Sequence, residues 1–197
     1  MNENIKYYPK SYVMSENLKS FFTAITNDQK LQKQLYETKN LSGVVIIADA
    51  LGFSVTGAEI LQSQAGRVLA IIEEQSEDVE RLTSGIKPKT GAQWGRGGGG
   101  YLDSAGYWLN QLASPTGITM IEKQVNAFIE KANQETELKK ELLNARTFND
   151  LAYLFQKNEY EITAVELLSY QAQKILALNE DEAKRVSNGI ILQYIEK

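Results

Sequence analysis

Sliding the chain over itself by 107 residues (125 − 18) brings Leu18, Phe21, Phe22 and Ile25 onto Val125, Phe128, Ile129 and Ala132. Without a gap, the same offset pairs Leu31 with Leu138, Leu35 with Leu142, Phe53 with Tyr160, Val55 with Ile162 and Thr56 with Thr163. It continues through Glu59 and Glu166, Leu61 and Leu168, Gln64 and Gln171, Ala65 and Ala172, Leu69 and Leu176, and Ala70 and Ala177. An offset of 104 (189 − 85) then aligns Arg81-Leu82-Thr83-Ser84-Gly85-Ile86 with Arg185-Val186-Ser187-Asn188-Gly189-Ile190. Two unrelated amphipathic stretches of equal period would share apolar positions, but not the Thr, Glu, Gln and Gly as well. The chain is a tandem repeat, and the two copies are expected to share one fold.

Each copy reads as helices. Leu18, Phe21, Phe22 and Ile25 stand at i, i+3, i+4 and i+7, one stripe of a helix. Asn27 and Asp28 interrupt it, and Leu31 and Leu35 open a second short helix. The run Val44 to Leu51 is apolar nearly all round, and composition alone would allow a strand. Its counterpart Leu151-Ala152-Tyr153-Leu154-Phe155 alternates weakly and follows Thr147-Phe148-Asn149-Asp150, an N-cap pattern, so a buried helix is expected at both places. Thr56-Gly57-Ala58-Glu59 and Thr163-Ala164-Val165-Glu166 are capping boxes, in which the Thr hydroxyl accepts from a first-turn N–H and the Glu reaches back to the cap residue. Behind them Leu61, Ala65, Val68, Leu69 and Ile72, and Leu168, Ala172, Ile175 and Leu176, again fall at helical spacing and read as core. The expected fold is all-α: two homologous small helical bundles joined by a Gly-rich linker. The bundles span 14–86 and 120–190, with an N-terminal arm at 1–13, the linker at 87–119 and a tail at 191–197. At about 70 residues each copy is near the lower limit for an independent core, so the copies are expected to pack on each other or on a partner.

The segment Lys87 to Thr119 differs in composition, holding Gly95-Arg96-Gly97-Gly98-Gly99-Gly100 and two of the three prolines, Pro88 and Pro115. Poly-Gly has a large ordering entropy and nothing to bury, which suits a loop or linker. The run formally satisfies the dinucleotide-binding G-x-G-x-x-G, but Lys87-Pro88-Lys89-Thr90-Gly91 before it is not a strand, and low complexity produces the match by itself. A Walker sequence is absent, because Tyr101-Leu102 follows the final Gly. Tyr101, Tyr107, Trp108, Leu109 and Leu112 suit a short amphipathic helix docking on one of the bundles, or an epitope for a partner.

Composition narrows the chemistry. The chain has no His and no Cys. Ser-His-Asp and Cys-His nucleophile schemes therefore cannot be built within it, and the usual zinc, copper, haem and iron–sulfur ligand sets are missing. A net charge of −4 disfavours a nucleic-acid partner, which calls for a local excess of Lys and Arg. Lys6, Tyr7, Tyr8, Pro9 and Lys10 interrupt the place where a signal peptide needs its apolar region, and Val44 to Leu51 is far too short to span a bilayer, so a cytoplasmic protein without a membrane span is expected. The carboxylate clusters Glu73-Glu74, Glu77-Asp78 and Glu180-Asp181-Glu182 are the remaining acid–base candidates. They are expected near helix ends as solvated charges favoured by the N-terminal dipole, and they lack the spacing of a calcium loop. No catalytic residue, cofactor or metal is expected.

Leu18 through Leu69 resembles the Nif-eleven-type leader-peptide domain, a bacterial family related to the nitrile-hydratase-type leaders of ribosomally made, modified peptides. The resemblance rests on the Leu-x-x-Phe-Phe start, Asp28-x-x-Leu31-x-x-x-Leu35, Ala48 with Gly52-Phe53-Ser54-Val55-Thr56, and Glu59-Ile60. The second copy is similar through Phe128, Leu138, Leu142, Tyr160-Glu161-Ile162-Thr163 and Glu166-Leu167-Leu168. In such leaders an acidic helical stretch ends in a double glycine, where a peptidase frees the core peptide. Residues 77–85 and 180–189 are similar to that ending, but Ser84 and Asn188 replace the first glycine before Gly85 and Gly189. A side chain at that position should obstruct a cleft that admits only backbone, and Ser84→Gly would restore sensitivity. With no Cys there is no thioether-forming core.

The resemblance implies a non-catalytic helical module recognised by a protein or peptide partner: a modifying enzyme, a peptidase or transporter, or an assembly factor. Glu73, Glu74, Glu77 and Asp78 are the candidate docking carboxylates. Two alternatives stay open, a precursor releasing the 87–114 segment and an accessory factor linked to nitrogen fixation, the latter resting on the family name alone. Homo-oligomerisation also stays open.

Overall fold

The computed structural model describes residues 13–38, 41–75, 77–85, 109 and 119–185. The first copy forms α1 (Glu16–Asn27), α2 (Gln29–Glu37), α3 (Leu41–Ala50), α4 (Gly57–Glu73) and α5 (Asp78–Thr83). The second forms α6 (Met120–Gln134), α7 (Thr136–Asn144), α8 (Phe148–Lys157) and α9 (Ala164–Ala177), and residues 180–185 are helical after it. Among the described residues there is no strand. The pairs α2/α7 and α3/α8 are offset by 107 residues at both of their ends (136 − 29 and 148 − 41, for instance), so the sequence repeat is a repeat of structure.

Local chemistry sets the boundaries. Asp28, in extended backbone, closes α1 and opens α2, its carboxylate accepting from the N–H of Lys30 at 2.8 Å and of Leu31 at 3.0 Å. Thr56 with Glu59 and Thr163 with Glu166 form capping boxes as expected; Thr147, expected as an N-cap, forms one with Asp150, and Thr119 with Glu122 forms another at the start of α6. Helix α3 ends in a Schellman arrangement: the Phe53 N–H donates to Ala48 O and the Gly52 N–H to Asp49 O, both at 2.9 Å, with Gly52 at φ +82°. Helix α8 repeats it, with Tyr160 donating to Phe155 O and Glu159 to Gln156 O. There the left-handed residue is Glu159, at φ +68°.

The stripe Leu18, Phe21, Phe22 and Ile25 faces the core, with Leu18 and Phe21 fully buried. Phe21 lies 5.7 Å from Phe53, and their counterparts Phe128 and Tyr160 lie 5.6 Å apart, edge to face, so the aromatic centre recurs in both copies. The run Val44 to Leu51 is helical as expected through Ala50, but it is not buried all round. Leu41, Val44 and Ala48 point inward, whereas Ile46 is 66% exposed and Leu51 is also exposed.

The two copies share one hydrophobic core. Helix α4 packs directly on α9, and α5 lies against α8 and α9. Across this junction the Gln62 side-chain amide donates to Leu178 O at 3.0 Å. Of the expected linker, 87–119, Thr119 caps α6 and Leu109 is helical and fully buried in that core, and the remainder lies outside the described residues.

Candidate functional site

The acidic turn between α4 and α5 holds the candidate docking carboxylates. Glu73 is the last residue of α4 and Glu74 its C-cap. They therefore sit at the negative end of that helix, where the dipole opposes carboxylates, and the expected N-terminal placement does not hold for this pair. Helical stability does not account for them. Glu73, Glu74 and Glu77 are exposed. Asp78 is not: it is 2% exposed, with the Arg81 guanidinium Nε 3.6 Å from its carboxylate. The expectation of a solvated Asp78 is thereby corrected: it opens α5, which packs on α4 of its own copy and on α8 and α9. Three of the four carboxylates thus face solvent together, and the fourth belongs to the packing.

The third acidic cluster behaves as expected of a helix start. The Asn179 side-chain oxygen accepts from the Glu182 N–H at 2.9 Å and Glu182 accepts from the Asn179 N–H at 3.0 Å. Glu180 pairs with Lys184 at 2.6 Å, and this hydrogen bond holds its carboxyl below the usual range.

Ser84 and Gly85 close α5. The Ser84 N–H donates to Glu80 O at 3.0 Å, and Gly85 has φ +71°, so the backbone here is a helix terminus and not an extended strand. Leu82 and Thr83 before it are buried. Asn188 and Gly189 lie outside the described residues, as do the Gly95 to Gly100 run and Tyr101, Tyr107, Trp108 and Leu112.

Two features were not anticipated from the sequence. The first is a largely buried ion pair, in which Lys174 Nζ meets Glu122 at 2.5 Å while lying 5.5 Å above the centre of the Tyr170 ring. The Tyr170 hydroxyl is buried without a hydrogen bond, and burial first, then the Glu122 charge, push it up to about 12. The spacing of Thr119 and Glu122 carried a readable signal for the cap but none for the distant Lys174. The second is a pattern of exposure. Ile46 and Tyr153 stand at equivalent positions of α3 and α8 (153 − 46 = 107), and each is 66% exposed. Val13 and Met120 are likewise equivalent (120 − 13 = 107) and likewise exposed.

Among the described residues no group of three or more His, Cys, Asp or Glu is placed to hold a metal ion, and no helix is long and apolar enough to cross a membrane. Residues 14–60 and 120–167 match the Nif11 domain. The chain carries two copies of a Nif11-type domain. Each match spans the first three helices of its copy and the opening turn of the fourth, so most of α4 and α9, the acidic turn and Ser84-Gly85 follow the matched Nif11-type stretch. No match was found among curated proteins or among solved structures.

Proposed function

We propose that the chain is a non-catalytic interaction protein, built from two leader-type domains at 14–86 and 120–190, whose helical surface is recognised in the cytoplasm by a modifying, exporting or assembly partner. The observation that supports this most is the equal exposure of Ile46 and Tyr153 at equivalent positions of the two copies. The repeat keeps a large side chain in water at the same place in both copies, which suits a helix face laid against a partner. Glu73, Glu74 and Glu77 supply a charged edge that would steer a basic partner. The precursor reading is the weaker one, because release of 87–114 would withdraw Leu109 from the core.

Cross-linking of the full chain in an extract of its source, followed by mass spectrometry, tests the proposal. The expected result is a protein that cross-links to the native chain and is lost when Ile46→Asp and Tyr153→Asp are combined, with unchanged circular dichroism. A partner retained by that variant, and also by Glu73→Lys, Glu74→Lys and Glu77→Lys together, would overturn it.

A further inference from the structure

We infer that α4 and α9 form a homotypic docking surface, so that each copy is the binding partner of the other and the pair stays bound without a covalent connection. Helices α4 and α9 occupy the same place in the repeat, starting at Gly57 and Ala164 (164 − 57 = 107), and they pack on each other. The same element of each copy thus meets the other, within one chain.

The buried residues match position by position. Ile60 with Leu167, Leu61 with Leu168, Ser63 with Tyr170, Ala65 with Ala172 and Val68 with Ile175 are all buried and all separated by 107. A surface helix covers one stripe of a core, whereas the buried positions of α4 and α9 run to both sides of that stripe, as a helix packed on its own domain and on a second one requires. The contact continues beyond the two helices. Gln62 donates to the carbonyls at the end of α9, α5 lies on α8 and α9, and the Asn149 amide meets Ser84. Most of this surface follows the Nif11-type match, so it is not a restatement of the shared domain. The occupant it fits is another domain of the same kind, and the inference is independent of any external partner.

The experiment places a specific protease site within Gly97–Gly100 of the full chain, folds the protein, and then severs it. Denaturing mass spectrometry confirms the cut. Native mass spectrometry and gel filtration should then show a single species with the mass of both pieces. Adding Gln62→Ala should raise the dissociation constant of the severed pair about two- to ten-fold, the worth of one neutral hydrogen bond. Mixing labelled and unlabelled severed protein should give hybrid pairs. Separation of the pieces at micromolar concentration, or a pair insensitive to Gln62→Ala that forms no hybrids, would overturn the inference.

Discussion

The side-chain amide of Asn149, in the first turn of α8, donates to the hydroxyl of Ser84 at 3.1 Å, tying the end of α5 in one copy to the other copy. In the leader-type reading proposed above, Ser84 stands where a cleavage ending has its first glycine. On that proposal its side chain would be one obstacle to a double-glycine peptidase and the helix end a second, since proteolysis requires extended backbone and must wait for local opening. Ser84→Gly is expected to lower stability by about 0.5–1.5 kcal/mol through the lost hydrogen bond. The variant should still resist the peptidase in buffer and be cut after Gly85 only near its urea midpoint. Rapid cleavage of the folded variant would show that the side chain was the sole barrier.

Gly52 and Glu159 hold the same left-handed position after α3 and α8. A residue with a Cβ is disfavoured there by roughly 1 kcal/mol, and the penalty applies only to the second copy. Glu159→Gly should therefore raise the thermal midpoint, by about 0.5–1 kcal/mol in stability. Gly52→Ala should lower it by a similar amount, from backbone conformation alone, because an added Cβ at Gly52 meets nothing within 4 Å. Equal effects of Gly52→Ala and an exposed Ala substitution elsewhere would contradict this.

The acidic turn separates into two behaviours. Glu73→Gln, Glu74→Gln and Glu77→Gln change exposed groups and are each expected to shift stability by no more than about 0.5 kcal/mol, with Glu73 and Glu74 tending upward because they oppose the α4 dipole. Asp78→Ala removes a buried carboxylate beside Arg81 and is expected to cost about 1–3 kcal/mol. Urea titrations of the four variants provide the comparison, and an Asp78→Ala midpoint as mild as the others would contradict its burial.

Much of this fold was legible because its signals are local. The Thr56, Thr147 and Thr163 caps lie three residues from their partners, and the stripe on α1 reads directly from spacing. What escaped depends on distant packing. Asp78 stands in the run Glu77-Asp78-Val79-Glu80, which looks wholly solvated until α5 packs on α4, α8 and α9. Helix α3 is so uniformly apolar that its sequence holds no contrast between faces, and Ile46 could not be distinguished from Val44. The pairing of Glu122 with Lys174 spans 52 residues (174 − 122), beyond the reach of any helical period.

Leu109 gives the stretch between the copies a fixed point in the core. Leu109→Ala is expected to cost about 2–5 kcal/mol, the range for emptying a buried leucine site. Equilibrium unfolding of the full chain measures it directly. A change below about 0.5 kcal/mol would mean that the segment carries no share of the core and would revive its reading as a releasable peptide.

Tyr170 supplies a test in alkaline solution. Its hydroxyl is buried without a hydrogen bond, its ring lies beneath the Lys174 ammonium, and the group is pushed up to about 12 from 10.0, chiefly by desolvation and then by the Glu122 charge. Between these values the unfolded chain has released this proton and the folded chain still holds it, so stability falls as pH rises. Well below pH 10 the group has little effect, and by about pH 12 the loss, discounted for solvent screening, is on the order of 1–2 kcal/mol. Other tyrosines and lysines titrate in the same range, so the comparison is with Tyr170→Phe. Removing a hydroxyl that lacks a partner should leave stability at pH 7 unchanged or slightly higher. It should also make the fall between pH 10 and 12 shallower, and delete one late-titrating phenol from the ultraviolet difference spectrum of the folded protein. Parallel stability profiles for the two proteins across that window would show that Tyr170 ionises as freely in the fold as out of it.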